Sequence, residues 1–71
     1  MKYSNMGQSL RVAQAMHGVT NIQLAAHFNV TGQQIIRWRN GTDMRIHRAE
    51  DMAKFFGMTL IKFIGLGNAK G

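Results

Sequence analysis

Hydrophobic residues recur at intervals of three and four along most of the chain, which is the spacing of one face of an α-helix. In the first such segment, residues 6–17, the inward-facing positions are Met6, Leu10, Ala13 and either Met16 or His17. Arg11 and Gln14 fall on the opposite side, so both are expected to face solvent. Gly18 follows and predicts the end of this helix.

Two short helices are predicted next by a repeated N-terminal pattern. Thr20 and Gln23 form a capping box, threonine followed three positions later by glutamine, and Thr31 and Gln34 repeat it eleven residues on. The first box predicts a helix to Phe28, and the second predicts a helix over about 32–40 that stops at Gly41. A turn of about three residues therefore joins them.

Two further helices are predicted beyond a polar loop at 42–45. Residues 46–56 place one apolar stripe inward, made of Ala49, Met52, Ala53 and Phe56. After Gly57, Thr59 is a candidate cap for a last helix through Leu60, Phe63 and Ile64. A strand over 58–64 is the alternative, but the apolar residues come in pairs three apart rather than alternating. The prediction is an all-α bundle of about five short helices, fraying from Gly65 onward, with residues 67–71 as a tail.

Charge is the most informative part of the composition. The 71 residues carry nine Lys and Arg against three acids, a formal net charge of +6, and contain no cysteine. Such an excess points to a polyanionic partner, either nucleic acid or an anionic membrane surface. The length allows one domain, 1–71, and the apolar run 58–64 is too short to span a membrane. The N-terminus lacks a signal peptide, so the expected location is the cytoplasm.

The two capped helices have the residue types of a helix-turn-helix. Their inward-facing positions are Leu24, Ala25, Phe28, Ile35 and Trp38. Ala25 is small enough for two helices to cross closely, and Val30 is placed to fill the angle between them. Asn29 suits the left-handed conformation that such a turn requires.

Residues 21–41, Asn21-Ile22-Gln23-Leu24-Ala25 through Trp38-Arg39-Asn40-Gly41, resemble the helix-turn-helix of phage repressors of the Cro and lambda-repressor type. Residues 56–64 look like that family's link between its fourth and fifth helices, so the resemblance covers residues 5–66. It implies a lambda-repressor-like fold and a Cro-like protein, without the second domain of a full-length repressor, that acts on DNA in the bacterial host cytoplasm. Asn21, Asn29 and Gly32 depart from the family's usual residues, and Gly32 removes one expected base contact.

In this motif the second helix enters the major groove of DNA. Positions 33, 36, 37 and 40 lie opposite Ile35 and Trp38. Gln33 can pair with adenine and Arg37 with guanine. Ile36 is either a thymine-methyl contact or a second core residue, and Gln34 and Thr31 flank the same face. The candidate base contacts are Gln33, Arg37, Gln34, Ile36 and Thr31.

Phosphate contacts are expected around the recognition helix. The resemblance implies that Asn21 and the N-terminus of its helix hold one phosphate. Basic and amide side chains at or after the recognition helix are candidates for the opposite strand, with a solvated basic surface as the alternative. These candidates are Arg39, Asn40, Arg45, His47 and Arg48.

A dimer contact is expected in the C-terminal segment 58–66. Phe55, Met58, Ile61 and Phe63 exceed what so small a core can cover, and an exposed apolar patch suggests a partner. Repressors of this type bind two half-sites as a two-fold dimer. The alternative is that these residues close the core under the first helix. A small patch would give a dimer that is weak in solution and completed on DNA.

The remaining chemistry argues against catalysis. The three histidines lack metal-ligand spacing, and the three carboxylates do not pair, so no catalytic residue, metal, cofactor or small-molecule substrate is expected. The leading hypothesis is a double-stranded DNA-binding transcriptional repressor that binds a palindromic operator. The alternative is a DNA-binding antitoxin whose C-terminal apolar segment covers a toxin. A membrane-surface binder would leave the two capping boxes unexplained.

Overall fold

Five helices make up the fold in a computed structural model, which describes residues 6–41 and 45–68. They are α1 (Met6–His17), α2 (Asn21–Phe28), α3 (Gly32–Arg39), α4 (Ile46–Phe55) and α5 (Leu60–Asn68). The described residues contain no strand, which confirms the all-α prediction and excludes the strand alternative for 58–64. Most of the predicted loop 42–45 lies outside the described residues.

Threonine side chains begin three of the helices. Thr20 forms the complete capping box: its Oγ1 accepts from the Gln23 amide at 3.1 Å, and its own amide donates to Gln23 Oε1 at 2.8 Å. At α3, Thr31 Oγ1 accepts from the Gln34 amide at 3.2 Å. At α5, Thr59 Oγ1 accepts from the Lys62 amide at 3.1 Å. Each bond satisfies an amide that the helix itself leaves without a partner.

The core is formed by the inward stripes of all five helices. α1 packs against α3 and α5, α4 packs against α5, and α2 packs against α3. The buried apolar side chains are Met6, Leu10, Ala13, Leu24, Ile35, Trp38, Ala49, Met52, Ala53, Phe56 and Phe63. The predicted stripe of α4 is confirmed in full, whereas Met16 and His17 are exposed, so the apolar stripe of α1 ends at Ala13.

The predicted fraying from Gly65 is wrong, because α5 continues to Asn68. Ser9, which is fully buried on α1, holds this last turn. Its hydroxyl donates to the carbonyl oxygen of Ile64 at 3.2 Å and accepts from the amide of Gly67 at 2.9 Å. Leu66 also packs against the core. Residues 69–71 of the predicted tail lie outside the described residues.

Two predicted exposures are also wrong. Phe63 is 0 % exposed at the centre of the core, so it belongs to the interior and not to a surface patch. Gln14 is 5 % exposed on the inner side of α1 instead of facing solvent. It is stable there because its amide has hydrogen-bond partners on other elements, which are described below.

Candidate nucleic-acid interface

The turn between α2 and α3 fixes how the two helices meet. Asn29 has φ 56° and ψ 46°, the left-handed conformation predicted for it. The next amide, of Val30, donates to the carbonyl oxygen of Ala25 at 3.0 Å and closes the end of α2. The side chains of Val30 and Ala25 are half-buried and pack against the core, as expected of the residues that fill the angle between the helices.

α3 has two distinct faces. Ile35 and Trp38 are buried against the core. The opposite face carries Gln33, Ile36, Arg37 and Asn40, all of them exposed. Ile36 is 45 % exposed, so the core alternative for this residue does not hold. One face of α3 therefore presents an amide, an apolar group and a guanidinium at helical spacing, a combination suited to reading base edges.

The two base-contact candidates that flank this face, Thr31 and Gln34, are each engaged elsewhere in the protein. Thr31 is exposed, but its hydroxyl is used as the cap of α3. Gln34 is half-buried and lies in the cleft between α3 and α4. Of the five base-contact candidates, Gln33, Ile36 and Arg37 are therefore the ones that lie exposed on the outer face of α3.

The C-terminal end of α3 lies directly against the first turn of α1. A Cβ atom at Gly7 would lie 2.5 Å from the carbonyl oxygen of Arg39, 2.6 Å from the amide nitrogen of Gly41 and 2.9 Å from the carbonyl oxygen of Trp38. No side chain fits at this distance, so glycine at position 7 allows the backbone of α1 to meet that of α3. The contact sets where the end of α3 sits in the domain.

Arg48 joins α4 to the two motif helices. Its guanidinium carbon lies 4.7 Å from the ring centre of Trp38 and 5.5 Å from that of Phe28. Its Nη1 lies 3.5 Å from the carboxylate of Asp51. The predicted phosphate contact at Arg48 thus has a cation–π contact and an ion pair within the protein.

A cleft of about 370 Å³ lies between α3 and α4. Trp38 and Gln34 line it on one side, and Arg45, His47 and Arg48 line it on the other. Arg45 and His47 are exposed at this opening. The cleft therefore brings the side chains that begin α4 next to Gln34 in the first turn of α3.

Buried Gln14 connects the two ends of the motif. Its Nε2 donates to Oδ1 of Asn21 at 2.9 Å and to the carbonyl oxygen of Val19 at 3.1 Å. Its Oε1 accepts a hydrogen bond from Nη1 of Arg39. Two predicted phosphate contacts, at the start of α2 and at the end of α3, are thus held by one side chain. In the sequence, the one feature that could have indicated this buried connecting role is that Gln14 is polar but uncharged and directly follows the inward-facing Ala13.

Basic side chains outnumber acidic ones around α3, where Asp51 lines the cleft with Arg45 and Arg48. None of the three acidic residues precedes position 43. Arg37 and Arg39 occupy the last turn of α3, and Arg45 precedes α4. Among the described residues the carboxylates are Glu50 and Asp51, both on α4, and Asp51 pairs with Arg48. A surface with such an excess of positive charge attracts a polyanion.

The four predicted dimer residues differ in how deeply their side chains are buried. Ile61 is 83 % exposed, and Met58 and Phe55 are half-buried against the core. The ring of Phe55 lies 4.6 Å from that of His27 and 5.0 Å from that of Phe56. With Phe63 in the interior, Ile61 is the most exposed of the four predicted dimer residues.

Comparison with known proteins gives no match among protein-family models, curated proteins or solved structures. Within residues 6–41 and 45–68, no group of three or more metal-ligating side chains comes together. In the same part of the chain, no helix has the length and apolar character needed to cross a bilayer.

Proposed function

We propose that the protein is a sequence-specific double-stranded DNA-binding repressor whose recognition helix is α3. One observation carries this proposal. Gln33, Ile36 and Arg37 are exposed together on the face of α3 that lies opposite buried Ile35 and Trp38. A helix presenting these groups fits the major groove, where amide and guanidinium side chains distinguish base pairs by bidentate hydrogen bonds.

The surroundings of α3 support contacts to the DNA backbone. Asn21 and Arg39 are both hydrogen-bonded to Gln14. Arg45 and Asn40 are exposed, at the start of α4 and the end of α3. Arg48 is a weaker candidate than Arg45, because its guanidinium already stacks on Trp38 and pairs with Asp51. Phosphate contacts fix the register of the protein on the duplex, and base contacts read its sequence.

The operator is proposed to be palindromic and bound by two copies of the chain. Ile61 is the exposed apolar side chain around which a two-fold contact is expected, and Met58 and Phe55 are half-buried. So small a patch favours a dimer that is weak in solution and completed on DNA. The resemblance to phage repressors of the Cro and lambda-repressor type supports repression by occupying the operator and blocking polymerase.

Selection from random duplexes tests this proposal. The purified protein is used to enrich its preferred DNA, and the enriched duplex is titrated at two salt concentrations. The expected result is a palindromic consensus with affinity that falls steeply as salt rises. The double variant Gln33→Ala with Arg37→Ala is the control, and it is expected to bind without enriching the same consensus. Equal binding of every duplex by the unaltered protein would refute sequence-specific recognition.

A further inference from the structure

We infer that Gln14 is a positioning residue that holds Asn21 and Arg39 as one phosphate-binding pair; the inference rests on the proposed function. Gln14 itself is buried and would not touch DNA. Its amide connects the start of α2 to the end of α3 through hydrogen bonds to side chains of both.

The orientation of the Gln14 amide follows from its partners. The carbonyl oxygen of Val19 can only accept a hydrogen bond, so the group facing it must be the Nε2 donor. The guanidinium of Arg39 can only donate, so the group facing it must be Oε1. A reversed amide would place donor against donor and acceptor against acceptor. The two ends of Gln14 therefore have assigned roles.

This orientation determines that of Asn21. Because Gln14 Nε2 is a donor, the Asn21 atom 2.9 Å from it must be the acceptor Oδ1. The Nδ2 donors of Asn21 are then not used by Gln14. Arg39 uses one N–H on Gln14, and a guanidinium has five. Both half-buried side chains thus offer donors, and a phosphate oxygen is an acceptor.

The neutrality of Gln14 is the second part of the inference. A carboxylate at this position would also pair with Arg39, but it would cancel the positive charge. An amide accepts the hydrogen bond and leaves the charge of Arg39 intact for the DNA backbone. The pair is therefore pre-ordered without being neutralised, which lowers the cost of ordering these side chains on binding.

The test compares Gln14→Glu with Gln8→Glu, using the selected operator and an unrelated duplex. Gln8 is exposed on the same helix, so its variant carries the same charge change away from the network. For Gln14→Glu, the slope of log affinity against log salt is expected to become shallower by about 1. Affinity for both duplexes is expected to fall by about fivefold at 0.15 M salt. This is the effect of losing one phosphate contact when the salt dependence is extrapolated from a reference of about 1 M salt. Gln8→Glu is expected to keep the original slope.

A second variant covers the case in which Gln14→Glu does not fold. Asn21→Asp keeps an acceptor for Gln14 but removes the Nδ2 donors, and a carboxylate at a helix N-terminus is tolerated. It is expected to weaken binding to both duplexes and to flatten the salt dependence. Unchanged binding by Asn21→Asp, or equal slopes for Gln14→Glu and Gln8→Glu, would overturn the inference.

A measurement without DNA separates this inference from the proposed function. In the free protein, the NMR signals of the Asn21 side-chain amide are expected to shift in Gln14→Glu and to stay in place in Gln8→Glu. Unmoved signals in Gln14→Glu would overturn the network itself. Shifted signals in a protein that binds no DNA would overturn the proposed function, and the phosphate role of Gln14 with it.

Discussion

The guanidinium carbon of Arg48 lies 4.7 Å above the ring of Trp38, so a cation on α4 rests on the inner face of the proposed recognition helix. The same guanidinium is 5.5 Å from the ring of Phe28 on α2. Asp51, one turn further along α4, pairs with it. One side chain thus contacts both helices of the helix-turn-helix and fixes α4 against them.

Replacing Arg48 with alanine is expected to destabilise the fold. The loss of the cation–π contact predicts a decrease of about 0.5–2 kcal/mol in the free energy of unfolding. Urea denaturation followed by Trp38 fluorescence measures it. Lys54→Ala, an exposed change on the same helix, is the control and is expected to stay within about 0.5 kcal/mol. Equal effects of the two variants would show that the aromatic contact contributes nothing.

Arg37→Ala and Arg45→Ala are expected to affect DNA binding in different ways. Arg37 lies on the outer face of α3, so its loss is expected to cost about 1–3 kcal/mol and to relax the preference at one base pair. Arg45 lies beside the cleft, and its loss is expected to weaken all duplexes alike and to reduce the salt slope by about 1. Binding to a set of single-base operator variants distinguishes the two patterns. A uniform loss for both proteins would contradict the groove assignment of α3.

Gly7→Ala is expected to separate α1 from α3. Its Cβ would lie 2.5 Å from the Arg39 carbonyl oxygen, an atom of the backbone that cannot turn aside. Overpacking of this kind predicts a loss of about 1–3 kcal/mol, with weaker operator binding because α3 is displaced. Gly65→Ala in α5 is the control, because the same atom meets nothing within 4 Å there. That variant is expected to be neutral or to stabilise by up to about 1 kcal/mol. The pair is compared by thermal unfolding.

Ile61→Asp is expected to remove the dimer and to leave the monomer intact. Ile61 is 83 % exposed, so a carboxylate there adds little cost to the isolated chain. Two such charges facing each other across a two-fold contact would repel. Sedimentation is expected to show a monomer, and operator titration is expected to show half-site binding without cooperativity. The unfolding temperature is expected to stay unchanged. A variant that still binds the full operator cooperatively would place the dimer contact elsewhere.

The sequence predicted the elements well because local chemistry determines where they begin and end. Thr20, Thr31 and Thr59 cap helices as expected, although at α3 only the threonine half of the predicted capping box forms, and Asn29 adopts the left-handed turn. Gly57 follows α4 with φ 72°. Each of these signals acts within a few residues of its own position, so no knowledge of the tertiary structure is needed to interpret it.

The errors fall on side chains whose partners are distant in the sequence. The helical pattern predicts an exposed side chain for Gln14, because a polar residue in an amphipathic helix usually faces solvent. Its partners Val19 and Asn21 are 5 and 7 positions away, but Arg39, which accounts for the Oε1 acceptor, is 25 positions away and depends on how α3 packs against α1. Composition alone predicts a surface position for Phe63, because the size of a core depends on how the helices pack; α5 packs against α1 and α4 and buries this ring. In the candidate site, the outer face of α3 followed from periodicity, whereas the cleft beside Arg45 depends on how α4 packs.

The contacts of Ser9 with α5 affect when the protein can fold during its synthesis. Its two bonds to α5 join residues 55 and 58 positions apart, and Phe63 fills the core beside them. A ribosome that has released α1 to α4 has not yet supplied the aromatic ring that completes the interior. The growing chain is therefore expected to expose its apolar stripes to chaperones until α5 emerges, and to fold in one step once α5 has left the ribosome.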